Sequence, residues 1–179
     1  MQQSISRLPF DPPRYCYDDY KNWSDEWELI DGYPYSLMPS AKRKHQQFAT
    51  SFIWVIKSII TGKSCECEVY SELDWIVNNE TVVRPDAMIV CGNFNTDWLT
   101  FPPALVLEIA SASTYLKDRN VKYKLYEMHG VKYYLLADTE QEKVECYQLT
   151  DGVYQLKQDN SFALASGREI EISFEKMWQ

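Results

Sequence analysis

Apolar positions change their period along this chain, and the changes mark its elements. From Ala41 to Thr61 they recur at steps of three and four: His45, Phe48, Ala49, Phe52, Ile53, Ile56, Ile59 and Ile60. That spacing predicts one long helix with a single buried stripe. Ser40 is its expected N-cap and Gly62 its stop. Trp27 to Leu37 reads as a hairpin turned at Asp31-Gly32, with Pro34 keeping the second strand near an edge. Residues 65–70 and 73–77 predict strands, and 82–91 a strand broken only by Arg84-Pro85-Asp86. Ala104 to Ala110 is a continuous apolar run holding one acid, Glu108, as in a strand covered on both faces. A second helix is expected from Ser113 or Thr114 to about His129, ended by Gly130, and then a buried strand over 131–137. Residues 143–149, 153–157 and 170–174 alternate as an antiparallel meander. The elements predict an α/β fold: a central mixed β-sheet flanked by two main helices, with a C-terminal antiparallel meander. Residues 1–14 are polar with three prolines and read as an arm, and 15–179 as a single domain.

Composition narrows the class. Of 179 residues, 45% are hydrophobic and 15% aromatic, enough to build a core without a structural metal or disulfide. No apolar run approaches the length of a membrane span, and the first ten residues lack the apolar stretch of a signal peptide. Five cysteines without a CxxC pair, and only two histidines, supply a zinc site poorly. The expectation is reduced thiols, packed as small hydrophobes in a cytoplasmic protein.

The net charge of −8 argues against a tight, non-specific coat on nucleic acid. It is spread unevenly. Residues 41–63 hold Lys42, Arg43, Lys44, Lys57 and Lys63 and no acid, and residues 111–126 hold Lys117, Arg119, Lys122 and Lys124 against Asp118. A local basic groove beside an acidic site therefore stays open.

Two acids stand inside apolar strands. Asp86 follows Pro85 in a Val/Ile-rich stretch, and Glu108 lies in Leu105-Val106-Leu107-Glu108-Ile109-Ala110. A carboxylate there is costly unless paired, hydrogen-bonded or holding a cation. Two such acids on neighbouring strands make a hard-oxygen site for Mg²⁺ or Mn²⁺. The alternative is that each acid sits at a strand end and reaches solvent or an arginine.

Arg84-Pro85-Asp86 followed by Leu107-Glu108-Ile109-Ala110-Ser111 resembles the core motif of the PD-(D/E)XK nuclease superfamily. More of the chain resembles the Uma-type restriction endonuclease family. The matching segments are Trp27 to Gly32, Met38-Pro39-Ser40 leading to His45-Gln46, the two motifs above, Ser113-Thr114 to Asp118, Lys122 to Tyr126, and Gly130-Val131 to Tyr134 with Asp138. The resemblance implies a restriction-endonuclease-like fold and a cytoplasmic, Mg²⁺- or Mn²⁺-dependent endonuclease hydrolysing DNA phosphodiester bonds. DNA is the implied substrate, no membrane partner is expected, and a homodimer is admitted. By position, Asp86 and Glu108 would ligate the metal, with the carbonyl of Ile109 as a third oxygen. Glu28 matches the superfamily's additional acid. The motif lysine is replaced by Ala110, and Lys122 matches the family's relocated lysine. Ala112, Lys132 and Leu135 stand where the family usually carries Pro, Pro and an aromatic residue.

Each residue also has a plainer role. Asp118 and Lys122 are spaced as a surface i, i+4 ion pair. Glu28 can accept from a hairpin neighbour. His45 fits a hydrogen-bonded residue at the core edge, and Lys42-Arg43-Lys44 fits either a solvated turn or a phosphate-steering patch. Rival functions are a non-cleaving module of the same fold that binds nucleic acid or a protein partner, and a hydrolase of another phosphodiester. For the nuclease reading, Asp86 and Glu108 must lie on adjacent strands, close enough to share a cation, with Lys122 directed at the same spot.

Overall fold

The computed structural model describes residues 12–24, 26–37, 42–61, 66–110 and 117–178. A short helix α1 (Tyr17–Tyr20) leads into a hairpin of β1 (Trp27–Ile30) and β2 (Tyr33–Ser36). The hairpin turns at Asp31-Gly32, where both residues have positive φ (50° and 78°). That is the type I′ geometry the Asp-Gly pair favours. Helix α2 (Arg43–Ile60) follows, then β3 (Cys67–Ser71), β4 (Trp75–Asn78), β5 (Thr81–Val83), β6 (Ala87–Cys91) and β7 (Leu105–Ala110). A π-helical segment (Lys117–Lys122) runs directly into α3 (Tyr123–Met128). Strands β8 (Tyr133–Asp138), β9 (Lys143–Thr150), β10 (Val153–Lys157), β11 (Ser161–Ala163) and β12 (Glu169–Glu171) complete the order, with a 3-10 turn over Phe174–Met177.

The described strands form three sheets, where one central sheet was expected. The largest has the order β10-β9-β8-β7-β6-β3 and is mixed, since β7 and β8 run parallel while the other neighbours are antiparallel. A second sheet has the order β2-β1-β5-β4. The stretch read as one interrupted strand over 82–91 is therefore two strands in different sheets. Arg84-Pro85-Asp86 is the crossing point. Pro85 has no N–H to give a ladder, so pairing ends there. The third strand of the predicted meander also departs from expectation. Residues 169–171 pair with β11 as a separate two-stranded sheet, and Phe174 lies in the 3-10 turn.

Two cores lie on the two faces of the main sheet. On one, Phe48, Phe52, Ile56 and Ile60 of α2 pack on Ala87, Ile89, Leu105, Leu107 and Ile109. Phe162, Ile170 and Ile172 of the C-terminal segment close the same layer. On the other, Leu125 and Tyr126 of α3 meet Met88, Val106, Tyr134 and Trp75. Every residue of β7 is buried, as its unbroken apolar run requires. Phe52 is fully buried, and Phe52→Ala is expected to lose about 3–5 kcal/mol in urea unfolding. A loss below about 1 kcal/mol, the scale of an ordinary surface change, would mean that this face is not covered.

Helix α2 begins at Arg43, with Lys42 at the N-cap position and no side-chain cap bond. The Ser40 and Gly62 boundaries, Cys65, and the Ser113/Thr114 cap lie outside the described residues. Cys67 and Cys91 are register partners across β3 and β6 and are joined by a disulfide. This corrects the expectation of reduced thiols for that pair. Their 24-residue separation hides a partnership that only the antiparallel pairing creates. Cys16 and Cys146 are free, and burial pushes the Cys146 thiol up to about 12.

Burial raises the phenols of Tyr126 and Tyr154 above their ordinary value. Below about pH 10 these protons are bound in folded and unfolded chains alike. Above it the unfolded chain releases them while the fold retains them, so stability falls as pH rises. The expected slope is about 1.4 kcal/mol per pH unit for each tyrosine. Urea unfolding at pH 9 and pH 11 measures it, and Tyr154→Phe is expected to flatten it. No helix among the described residues is long and apolar enough to cross a membrane.

Candidate active site

Glu108 sits mid-strand in β7, with its side chain on the face covered by α3. Lys122 is the last residue of the π-helical segment, and the wider π turn precedes the helix that packs on that face. Glu28 comes from β1 of the second sheet, paired beside β5. The three meet in the interior. Lys122 Nζ lies 2.8 Å from Glu108 Oε1 and 2.8 Å from Glu28 Oε1. The residues are 2%, 3% and 0% exposed, respectively.

Two further donors join the cluster. The Tyr126 hydroxyl donates to Glu108 Oε1 at 2.6 Å, and the Arg84 backbone N–H donates to Glu28 Oε1 at 2.9 Å. Burial, reinforced by the negative charges of Glu108 and Glu28, holds the Tyr126 phenol well above its ordinary range, so it acts as a donor. Trp75 stacks on the Tyr126 ring at 6.1 Å and 19°. One lysine between two buried carboxylates leaves the cluster formally one unit negative, an arrangement that favours cations.

Asp86 lies just before β6, whose first residue pairs with Leu107 of β7. Its Oδ2 accepts from the Ile109 backbone N–H at 2.6 Å, and His45 Nε2 lies 3.1 Å from Oδ1. Backbone N–H groups point along the sheet plane. The Asp86 carboxylate therefore takes a ladder position at the strand end, between the face bearing α2 and the face bearing Glu108. The chain crossing at Pro85 makes this possible, because a regular strand would put a backbone carbonyl there. Arg84 anchors the crossing: its Nε donates to Asp74 at 2.7 Å, and its guanidinium also pairs with Glu26.

Of the residues singled out in the sequence, Glu28, Glu108 and Lys122 are thus in direct contact. Asp86 is on the adjacent strand's approach and is tied to the residue after Glu108. Lys122 is engaged by the two buried glutamates; the side chain of Asp118 is outside the described set. Glu28 accepts from the Arg84 crossing as well as from Lys122. His45 is at the core edge, against Asp86. Lys42, Arg43 and Lys44 are exposed, and Lys44 reaches Thr139 O and Glu140 at 3.4 Å. Arg43 and Lys44 share a surface groove with Gln47, Thr139 and Trp178. Tyr126 was missed as a site residue. Its only sequence signal is its i, i+4 spacing from Lys122, which puts the two on one helix face.

A family model described as "Uma2: Putative restriction endonuclease" matches residues 15–175. The chain belongs to the Uma2 family. Among its relatives, slr1290 of Synechocystis sp. strain PCC 6803, an uncharacterized protein, is 26% identical over 156 residues, covering 82% of this chain and 81% of its own. The fold is shared with a crystal structure of a "putative nuclease belonging to DUF820" from Anabaena variabilis ATCC 29413. The TM-score is 0.71 at 16% identity, covering 90% of this chain and 96% of that one. The Uma2 chain thus has a mixed α/β architecture of several sheets and few helices that matches a nuclease-like fold.

The donor chemistry can be tested against a hard divalent cation. Among the described residues, no three His, Cys, Asp or Glu side chains gather as a metal-holding group. The acids on the two adjacent strand segments are Asp86 and Glu108, both oxygen donors. Mg²⁺ is commonly held by one or two carboxylates together with waters and substrate phosphates. A two-carboxylate set fits that habit and does not fit zinc, which favours nitrogen and sulfur ligands.

Proposed function

We propose that this Uma2 protein is a Mg²⁺- or Mn²⁺-dependent endonuclease-like hydrolase acting on DNA phosphodiester bonds. The observation that carries the reading is Lys122, a buried cation held 2.8 Å from acids of two different sheets, one residue along β7 from the N–H that fixes Asp86. A buried lysine clamped between carboxylates has little value for stability alone, since an apolar replacement of the whole set often serves as well. Its placement makes sense for charge work at a phosphate.

In this reading Asp86 and Glu108 hold the cation, with the Ile109 carbonyl as a further oxygen donor. The bound cation would polarise the phosphoryl oxygen and lower the pKa of a coordinated water. Lys122 supplies fixed positive charge where negative charge develops at the phosphate. Glu28 keeps Lys122 oriented from the second sheet, and His45 keeps Asp86 turned toward the strand end. The reading draws support from the family, whose description is a restriction endonuclease, and from the nuclease-like fold.

A second reading, a non-cleaving module of the same fold, is favoured by two features. Lys122 is already neutralised by two acids, and the chain carries a net charge of −8. The experiment that separates them incubates purified protein with supercoiled, linear and single-stranded DNA in Mg²⁺, Mn²⁺ or EDTA. Cleavage that needs the divalent ion supports the enzyme. Binding to DNA or to a protein partner with no cleavage of any form supports the module.

A further inference from the structure

Arg84 stands where the second sheet hands the chain to the main one. Strand β5 runs between β1 and β4. Trp75 of β4 faces Val83 of β5, so Asp74 and Arg84 occupy the next position, just past the paired residues. There the Arg84 guanidinium reaches toward both neighbours of β5. Its Nε donates to Asp74 Oδ1 at 2.7 Å, and it also pairs with Glu26, the residue before β1. The two acids are not equivalent. The Glu26 side chain is 64% exposed, and an ion pair that open to water contributes little. The Asp74 side chain is 25% exposed, and its residue is tied down from other sides. Its Oδ2 accepts from the Tyr20 hydroxyl at 3.1 Å, and its carbonyl accepts from the Leu99 N–H at 2.9 Å. A charge-assisted hydrogen bond to an acid fixed in this way holds its donor in place.

The same residue faces the candidate site through its backbone. The Arg84 N–H donates to Glu28 Oε1 at 2.9 Å. Asp86 follows two residues later and takes the Ile109 N–H at 2.6 Å. Pro85, between them, has its φ fixed by its ring, which leaves the crossing little slack. We infer that Arg84 is a positioning residue of the metal site: its clasp on Asp74 holds the sheet crossing, so that Asp86 and Glu28 keep their places beside Glu108 and Lys122. This inference rests on the reading of Asp86 and Glu108 as metal ligands. The physical reason is preorganisation. A ligand already held in its binding position loses little freedom when the ion arrives, and the surrounding groups that orient metal ligands typically govern affinity by about 10–100-fold.

The test measures Mn²⁺ affinity by calorimetry, with thermal melts to verify folding. The variants are Arg84→Met, Asp74→Ala, the double variant of the two, and Arg84→Lys. Glu26→Gln is one control, because it alters the exposed partner of the same guanidinium. Tyr154→Phe is the other, because it removes a buried hydroxyl bond, to Val131 O at 2.8 Å, that involves neither the crossing nor a proposed ligand. Arg84→Met and Asp74→Ala are each expected to weaken Mn²⁺ binding about 10–100-fold. The double variant is expected to bind no more weakly than the weaker single one, because both remove the same contact. Arg84→Lys keeps the charge without the planar fork, so it is expected to weaken binding too, and it carries the comparison if Arg84→Met does not fold. Both controls are expected to bind like wild type. Wild-type affinity in the folded Arg84 variants overturns the inference and leaves the metal site standing. Losses that add in the double variant also overturn it, since Arg84 and Asp74 would then act separately. Equal weakening by either control overturns it as well. If wild type binds no Mn²⁺, or Asp86→Asn binds it as well as wild type does, the metal-site reading itself fails and the inference falls with it.

Discussion

Lys122→Ala is expected to destabilise the fold by about 3–5 kcal/mol, the cost of stripping the partner from a buried ion pair. The reason lies in what stays behind. Glu28 and Glu108 remain buried, one on each of two sheets, with the Arg84 N–H and the Tyr126 hydroxyl among their donors. Two like charges then face each other across the gap that the ammonium filled. Adding Glu28→Gln to Lys122→Ala is expected to recover a large part of the loss, because one of the uncompensated charges is gone. Urea unfolding of the single and double variants measures both effects. A loss below about 1 kcal/mol for Lys122→Ala would mean that the lysine is solvated and that the cluster is not interior. The same variant bears on catalysis, so its turnover is interpretable only under conditions where melts show it folded.

Asp86→Asn is expected to act differently. The amide keeps the size of the side chain, and its oxygen can still accept from the Ile109 N–H, so the strand end stays in place. What is lost is one negative charge at the site for a hard cation. Divalent affinity is expected to collapse, since such ions depend on carboxylate charge. Cleavage is expected to fall by at least about 100-fold, the scale for removing one charge-stabilising group. DNA binding measured without metal should stay the same or tighten, because an acid that repels phosphate has been removed. An Asp86→Asn protein that binds Mn²⁺ and cuts like wild type would remove Asp86 from the site.

The parts of this fold that were legible in the sequence are those that short-range physics fixes. The Asp31-Gly32 pair names its own turn, because both positions need positive φ. The stripe of Phe48, Phe52, Ile56 and Ile60 can be buried on only one helix face. Glu108 stands out because it is the one acid in a run whose every position is covered. What escaped depends on non-local partners. Val82 and Ala87 look like one strand with a flaw, and nothing in their local pattern says that Pro85 carries the chain from one sheet to another. Cys67 and Cys91 look isolated until β3 and β6 pair. The strand at 169–171 has the right alternation for a meander, yet its register partner is β11.

The candidate site divides along the same line. Asp86 and Glu108 could be named because acids inside apolar strands draw attention, and Glu28 and Lys122 because they match the family's motif order. Their mutual geometry could not. It takes the sheet crossing to bring the Arg84 N–H to Glu28, and the π-helical segment ahead of α3 to deliver Lys122 into the interior. Tyr126 was invisible for the opposite reason. An aromatic residue on the buried face of a helix reads as core, and only its hydroxyl's contact with Glu108 gives it another role.

The most direct test of the central claim is the single-turnover rate at which purified protein nicks supercoiled plasmid in Mn²⁺, compared side by side for wild type and Asp86→Asn. The account predicts nicking by wild type that EDTA abolishes and a loss of at least about 100-fold in the variant, with both proteins equally folded. Equal rates in the two proteins, or no nicking by wild type in either Mn²⁺ or Mg²⁺, would contradict it.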